Sequence, residues 1–182
     1  MWDRTFMTAA EIQVLPGTSG NDTFIAGTVG TAATLNPGDQ LDGLGGTDTL
    51  KVYGNDSVAN LTTATIKNIE IVQAIGTGNN STATAVNVSA NADVKEVWLV
   101  NAAETNTVTA TTAQTVGIEG KAAAGLQTVT YSGDTDGATD AATIMLKDAN
   151  TSGGVTIANA GTGVVTIEKL TLEATGKNVL GT

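Results

Sequence analysis

From Val14 onward, short runs of alternating apolar and polar residues are broken every few positions by Gly, Asn or Asp. A period of two marks a half-buried strand, so the chain is predicted to form many short strands and no long amphipathic helix. A second regularity overlies the first. Apolar positions at i, i+3 and i+5 recur in Ile66-Lys-Asn-Ile69-Glu-Ile71, Val94-Lys-Glu-Val97-Trp-Leu99, Ala113-Gln-Thr-Val116-Gly-Ile118, Leu126-Gln-Thr-Val129-Thr-Tyr131 and Ile167-Glu-Lys-Leu170-Thr-Leu172. The last two positions of each copy share one face of a strand and the first belongs to the corner before it, so stacked copies would line up one buried ladder. The copies begin at 66, 94, 113, 126 and 167, an uneven spacing that suits coils carrying loops of different length. Further strands are expected near 86–89, 107–110, 142–146 and 155–158. The predicted architecture is an all-β, right-handed parallel β-helix or β-solenoid over 14–182, behind an N-terminal arm, 1–13, that reads as a linker, a pairing arm or a docking segment. A β-sandwich is the competitor. Its usual buried Trp would have to be Trp98, which lies between Val97 and Leu99 and so points to the opposite face.

Two turns near the start share one frame. Gly17-Thr-Ser-Gly-Asn-Asp-Thr-Phe-Ile25 and Gly43-Leu-Gly-Gly-Thr-Asp-Thr-Leu-Lys51 both read G-x-x-G-x-D-x-apolar-x, with their carboxylates 26 residues apart. Gly17 and Gly20, and likewise Gly43 and Gly46, are expected to reach positive φ and turn carbonyls inward, while Asp22 and Asp48 add hard anionic oxygen. Asp42 and Asp39 lie close enough to reach the same ion, or equally to cap a turn. The frame therefore predicts Ca2+ bound between the turns, against the plainer alternative of two ordinary β-turns. A second acidic run, Asp134-Thr-Asp136-Gly-Ala-Thr-Asp140, shares the opening spacing of an EF-hand loop. Met145 stands where that loop needs its bidentate Glu, which favours a solvated loop.

Charge sharpens this picture. Eight Lys and Arg against 18 Asp and Glu give the 182-residue chain a net charge of -10, which disfavours nucleic acid and anionic membrane surfaces and favours divalent cations. Cys and His are both absent, which removes disulfides, thiolate sites, the usual zinc ligands and the commonest general base. Any metal must be held by oxygen. The chain shows neither a basic-plus-apolar leader nor an apolar run of membrane-spanning length.

The stretch from Pro16 to Gly27, then Ala32-Ala-Thr-Leu35, Gly38-Asp-Gln-Leu-Asp-Gly43, Gly45-Gly-Thr-Asp-Thr-Leu50 and Ile66-Lys-Asn-Ile-Glu70, resembles the RTX-containing, calcium-dependent surface-layer proteins of Gram-negative bacteria, which leave the cell by type I secretion. The likeness covers residues 14 to 75. It implies a calcium-stabilised solenoid that assembles with copies of itself into an extracellular lattice or filament. The chain departs from the usual RTX array in two ways: its two turns are not in tandem, and Thr18 and Leu44 stand where a second glycine is usual. An adhesin or glycan-binding module of a larger secreted protein, with cell-surface polysaccharide as partner, is the alternative. Catalysis is not expected, because Glu70, Glu96, Glu119 and Glu168 read as solubility charges on strand faces.

Overall fold

The computed structural model describes residues 1–182 apart from 1–2, 9–10, 30–31, 55–57, 59, 77–83, 103–104, 123–125, 133–139, 152, 160–166 and 182. Asp134 and Asp136 lie outside the described residues, as does most of that acidic loop. The chain winds as a parallel β-solenoid. Its longest sheet joins β1 (Asp3–Phe6), β3 (Asp22–Ala26), β7 (Thr49–Tyr53), β9 (Ile71–Ile75), β11 (Glu96–Val100), β13 (Thr115–Ala122), β15 (Ala141–Thr151) and β17 (Lys169–Thr175) in that order, with β18 (Val179–Leu180) also on β15. A second sheet stacks β10 (Thr84–Asn87), β12 (Asn106–Ala110), β14 (Gln127–Tyr131) and β16 (Val155–Asn159), and a third holds β2 (Val14–Pro16), β6 (Gln40–Asp42) and β8 (Thr65–Lys67). Every pairing in these three sheets is parallel, which excludes the sandwich. One antiparallel pair, β4 (Thr28–Val29) with β5 (Ala32–Ala33), forms a side hairpin. Among the described residues no helix is long and apolar enough to cross a membrane.

Register turns alternation into a core. Phe24, Leu50, Val72, Val97, Val116 and Ile144 stack as one inward ladder, and Ala26, Val52, Ala74, Leu99, Ile118 and Leu146 as a second, all buried. Val86, Val108 and Val129 form the facing ladder of the second sheet. The repeat therefore marks true inward pairs at Val97/Leu99, Val116/Ile118 and Val129/Tyr131, although the last pair belongs to the second sheet and not to the same ladder as the others. The copy at Ile66 is out of step. Ile69 is buried in the corner, Ile71 faces outward, and Val72 takes the inward place. Trp98 points outward as its parity requires and lies flat against Gly117 of the next strand, where any Cβ would collide with the indole ring. Residues 3–6 of the arm pair with β3, so this segment is the first rung.

The ladders give one sharp test of where stability resides. Leu99→Ala should cost about 2–5 kcal/mol, since it empties a filled interior site. Leu172→Ala, in register with Ile144 but 56% exposed on the last rung, should cost less than about 1 kcal/mol, as urea unfolding would measure.

Candidate functional site

The two glycine turns do stack on one another, and their carboxylates meet at the corner that feeds the longest sheet. Asp22 begins β3 and Asp48 immediately precedes β7; both are buried. The Asp22 amide donates to Asp48 Oδ1 at 2.7 Å, and the Asp48 amide donates to Glu70 Oε2 at 2.8 Å on the following coil. Each carboxylate thus holds the backbone of the coil before it. Asp22 also closes its own turn, accepting from the Thr18 amide and from Thr18 Oγ1. Glu70 is a member of this column that motif spacing does not reveal, because its coil has no glycine turn.

The other candidates are caps as well. Asp39 is fully buried, its Oδ1 accepting from the Gln13 amide at 2.8 Å and its Oδ2 from the Asn36 amide at 2.7 Å. Asp42 Oδ1 takes the Leu44 amide at 3.0 Å and Asn68 Nδ2 at 2.7 Å. The Asn68 bond, first among the causes, holds the Asp42 carboxyl below its ordinary value. Asp140 sits on a different coil, where its amide donates to Glu168 Oε2 at 2.8 Å.

The glycines serve a purpose other than the expected one. Only Gly46 has positive φ, at 122°; Gly17, Gly20 and Gly43 do not. Gly17 and Gly43 are needed because a carboxylate packs directly on the backbone. A Cβ at Gly17 would stand 2.7 Å from Asp22 Oδ2, and one at Gly43 would strike Asp48 Oδ2 and the Asn68 carbonyl. The left-handed position falls instead on Leu44, with φ 66°, where a β-carbon is strained.

Most of the oxygens at this corner are engaged by the protein's own donors. Ca2+ takes about six to eight oxygen ligands. Here the carboxylates of Asp22 and Asp39 are taken up by hydrogen-bond donors, and the carbonyls of Asp42, Gly43 and Asp48 accept the amides of Gly17, Gly45 and Ile71. Among the described residues no three acidic side chains converge as a metal group. The four Glu residues are engaged separately. Glu70 and Glu168 hold corner amides, Glu96 accepts from Trp98 Nε1 at 2.8 Å, and Glu119 pairs with Lys147 at 2.9 Å.

One oxygen in the column is left over. Among the described residues, Asp48 Oδ2 is buried without a hydrogen-bond partner. Burial raises the Asp48 carboxyl above its ordinary value; the Asp22 amide opposes this, and the Glu70 and Asp22 charges add to it. A carboxyl raised in the folded state binds its proton more tightly there than in the unfolded chain. Its contribution to stability is therefore fully present below the ordinary value of 3.8 and is lost as pH rises through the folded value.

Three melting experiments follow from the capping geometry. Asp48→Asn keeps an acceptor for the Asp22 amide and removes the charge, so at pH 7 it should melt above wild type, with the gap closing as pH falls towards 4. Asp48→Ala strands the buried Asp22 amide and should lose about 1–3 kcal/mol. Added Ca2+ or EGTA should leave all three midpoints in place; a calcium-dependent midpoint would overturn the capping role. Separately, Leu44→Asn should gain up to about 1 kcal/mol, since Asn tolerates the left-handed region. Comparison of the chain with protein-family models, curated proteins and solved structures gave no match.

Proposed function

We propose that this chain is a non-enzymatic structural module that stacks end-on with copies of itself, forming a filament or layer outside the cell. The observation that carries the proposal is the apolar outer side of β17, unpaired among the described residues. Leu170 and Leu172 of β17 are in register with the buried Ala142 and Ile144, yet they are 47% and 56% exposed. Val179, Leu180 and Ile157 are exposed at the same end, and Ile157, Ala158, Ile167 and Leu170 line a shallow pocket there. At the opposite end β1 pairs on one side only among the described residues, and Phe6, Ile12 and Val14 are exposed.

In a parallel sheet the two free edges differ and complement one another. The outer edge of β17 offers the pattern of donors and acceptors that β15 offers to β17, and β1 of a second copy is a parallel strand able to take it. Such a contact joins unlike surfaces and does not close on itself, so it propagates. The net charge of -10 opposes contact at long range, so association should strengthen as salt screens it. The extracellular setting is supported by the resemblance of residues 14 to 75 to surface-layer proteins. Calcium is not required by this reading, because the turn carboxylates already hold backbone amides.

Sedimentation velocity over a range of concentrations, with negative-stain microscopy, tests the proposal. Concentration-dependent chains are expected, unaffected by EGTA. Leu170→Lys combined with Leu172→Glu should weaken association at least about tenfold, or about 1.4 kcal/mol, with the circular dichroism spectrum unchanged. A monodisperse monomer at every concentration would sink the idea.

A further inference from the structure

The outer face of the second sheet carries no charge in a chain that is strongly acidic. Its outward positions form two columns across β10, β12, β14 and β16: Ala85, Thr107, Thr128, Thr156 in one, and Asn87, Thr109, Thr130, Ala158 in the other. Five of these eight positions are threonine. The outward face of the longest sheet is built differently, with Lys51, Glu96, Trp98, Glu119, Lys147 and Glu173.

We propose that the threonine face of the second sheet is an ice-binding surface, whose ligand is the ordered water of an ice crystal. Four observations lead there. The three pairings run in register with no bulge, so the side chains repeat on a rectangular net of about 4.8 Å between strands and about 6.7 Å between alternate residues of one strand. Hexagonal ice repeats its oxygen rows on closely similar spacings along two of its axes. Each threonine adds a hydroxyl and a methyl on a χ1 made stiff by β-branching, above the buried Val86, Val108 and Val129. Among the described residues none of the five hydroxyls has a protein hydrogen-bond partner, so each is available to water.

The missing charges matter as much as the hydroxyls present. A charged group orients its own hydration shell and would break an ordered water layer. The outward positions also contain no aromatic ring, since Tyr131 points inward and is buried. A soluble sugar would therefore find no stacking platform on this face. What remains is a flat, uncharged and periodic ligand.

The purified chain, kept below its association range, is assayed for inhibition of ice recrystallisation and for thermal hysteresis. Wild type is expected to slow recrystallisation and to shape growing crystals. Thr128→Lys, at the centre of the net, should raise the concentration needed at least tenfold. Thr128→Val, which keeps the methyl and the branch but loses the hydroxyl, should weaken the effect by less than Thr128→Lys does. Thr143→Lys, which faces outward on the longest sheet, should behave as wild type. Circular dichroism and melting midpoints establish that each variant is folded. The proposal is overturned if wild type leaves recrystallisation unchanged, or if Thr143→Lys loses as much as Thr128→Lys. Retention on crystalline chitin or cellulose without any effect on ice would overturn it too, and would assign the face to polysaccharide.

Discussion

Everything in this molecule depends on parallel registration of one coil upon the next. An isolated coil of a solenoid has no strand-to-strand hydrogen bonds of its own: each strand donates and accepts along the stack, so a rung is satisfied only when its neighbours are in place. That single demand sets the inward ladders, since residues repeating in one column must fill one continuous space. It also creates the difficulty at the corners, where amides leave the sheet and still need acceptors.

The corners answer that difficulty with side chains of more than one chemistry. Near the start, carboxylates accept from amides: Asp22, Asp39, Asp48 and Glu70. Carboxylates recur near the other end, where Glu168 and Asp148 accept the Asp140 and Lys177 amides, and between them the buried Gln114 serves. Its Oε1 accepts from the Thr111 amide at 2.8 Å, and its Nε2 faces the Val88, Asn91 and Val94 carbonyls at 3.0–3.1 Å. The solenoid wall thus tolerates either kind of capping group, and the glycines beneath Asp22 and Asp48 are there to admit them. Where several carboxylates share a corner, the unfavourable term falls on Asp48, whose second oxygen lacks a donor among the described residues.

The fold was largely legible in the sequence, and the corner was only half so. Alternation and the recurring apolar triplet predict parallel coils, and strict parity places Trp98 outside and Tyr131 inside. Ile69 and Ile71 mislead because an apolar residue in a corner is indistinguishable, in sequence, from one on a strand. The glycine–aspartate frame correctly marks two stacked turns. It does not say whether an aspartate oxygen faces a cation or an amide, because both need an anion beside a backbone with no side chain. The two threonine columns stay hidden for another reason: their members come from separate coils joined by loops of unequal length, and only the register brings them into line.

The same registration gives the molecule a direction-dependent mechanical response. Pulling along the stack axis loads the hydrogen bonds between coils one rung at a time, so a rung paired on one side only would peel before one paired on both. Pulling along the strands loads all the bonds of a rung together in shear. A fibre of such coils would therefore be compliant to unzipping from its tips and stiff to sliding between its layers.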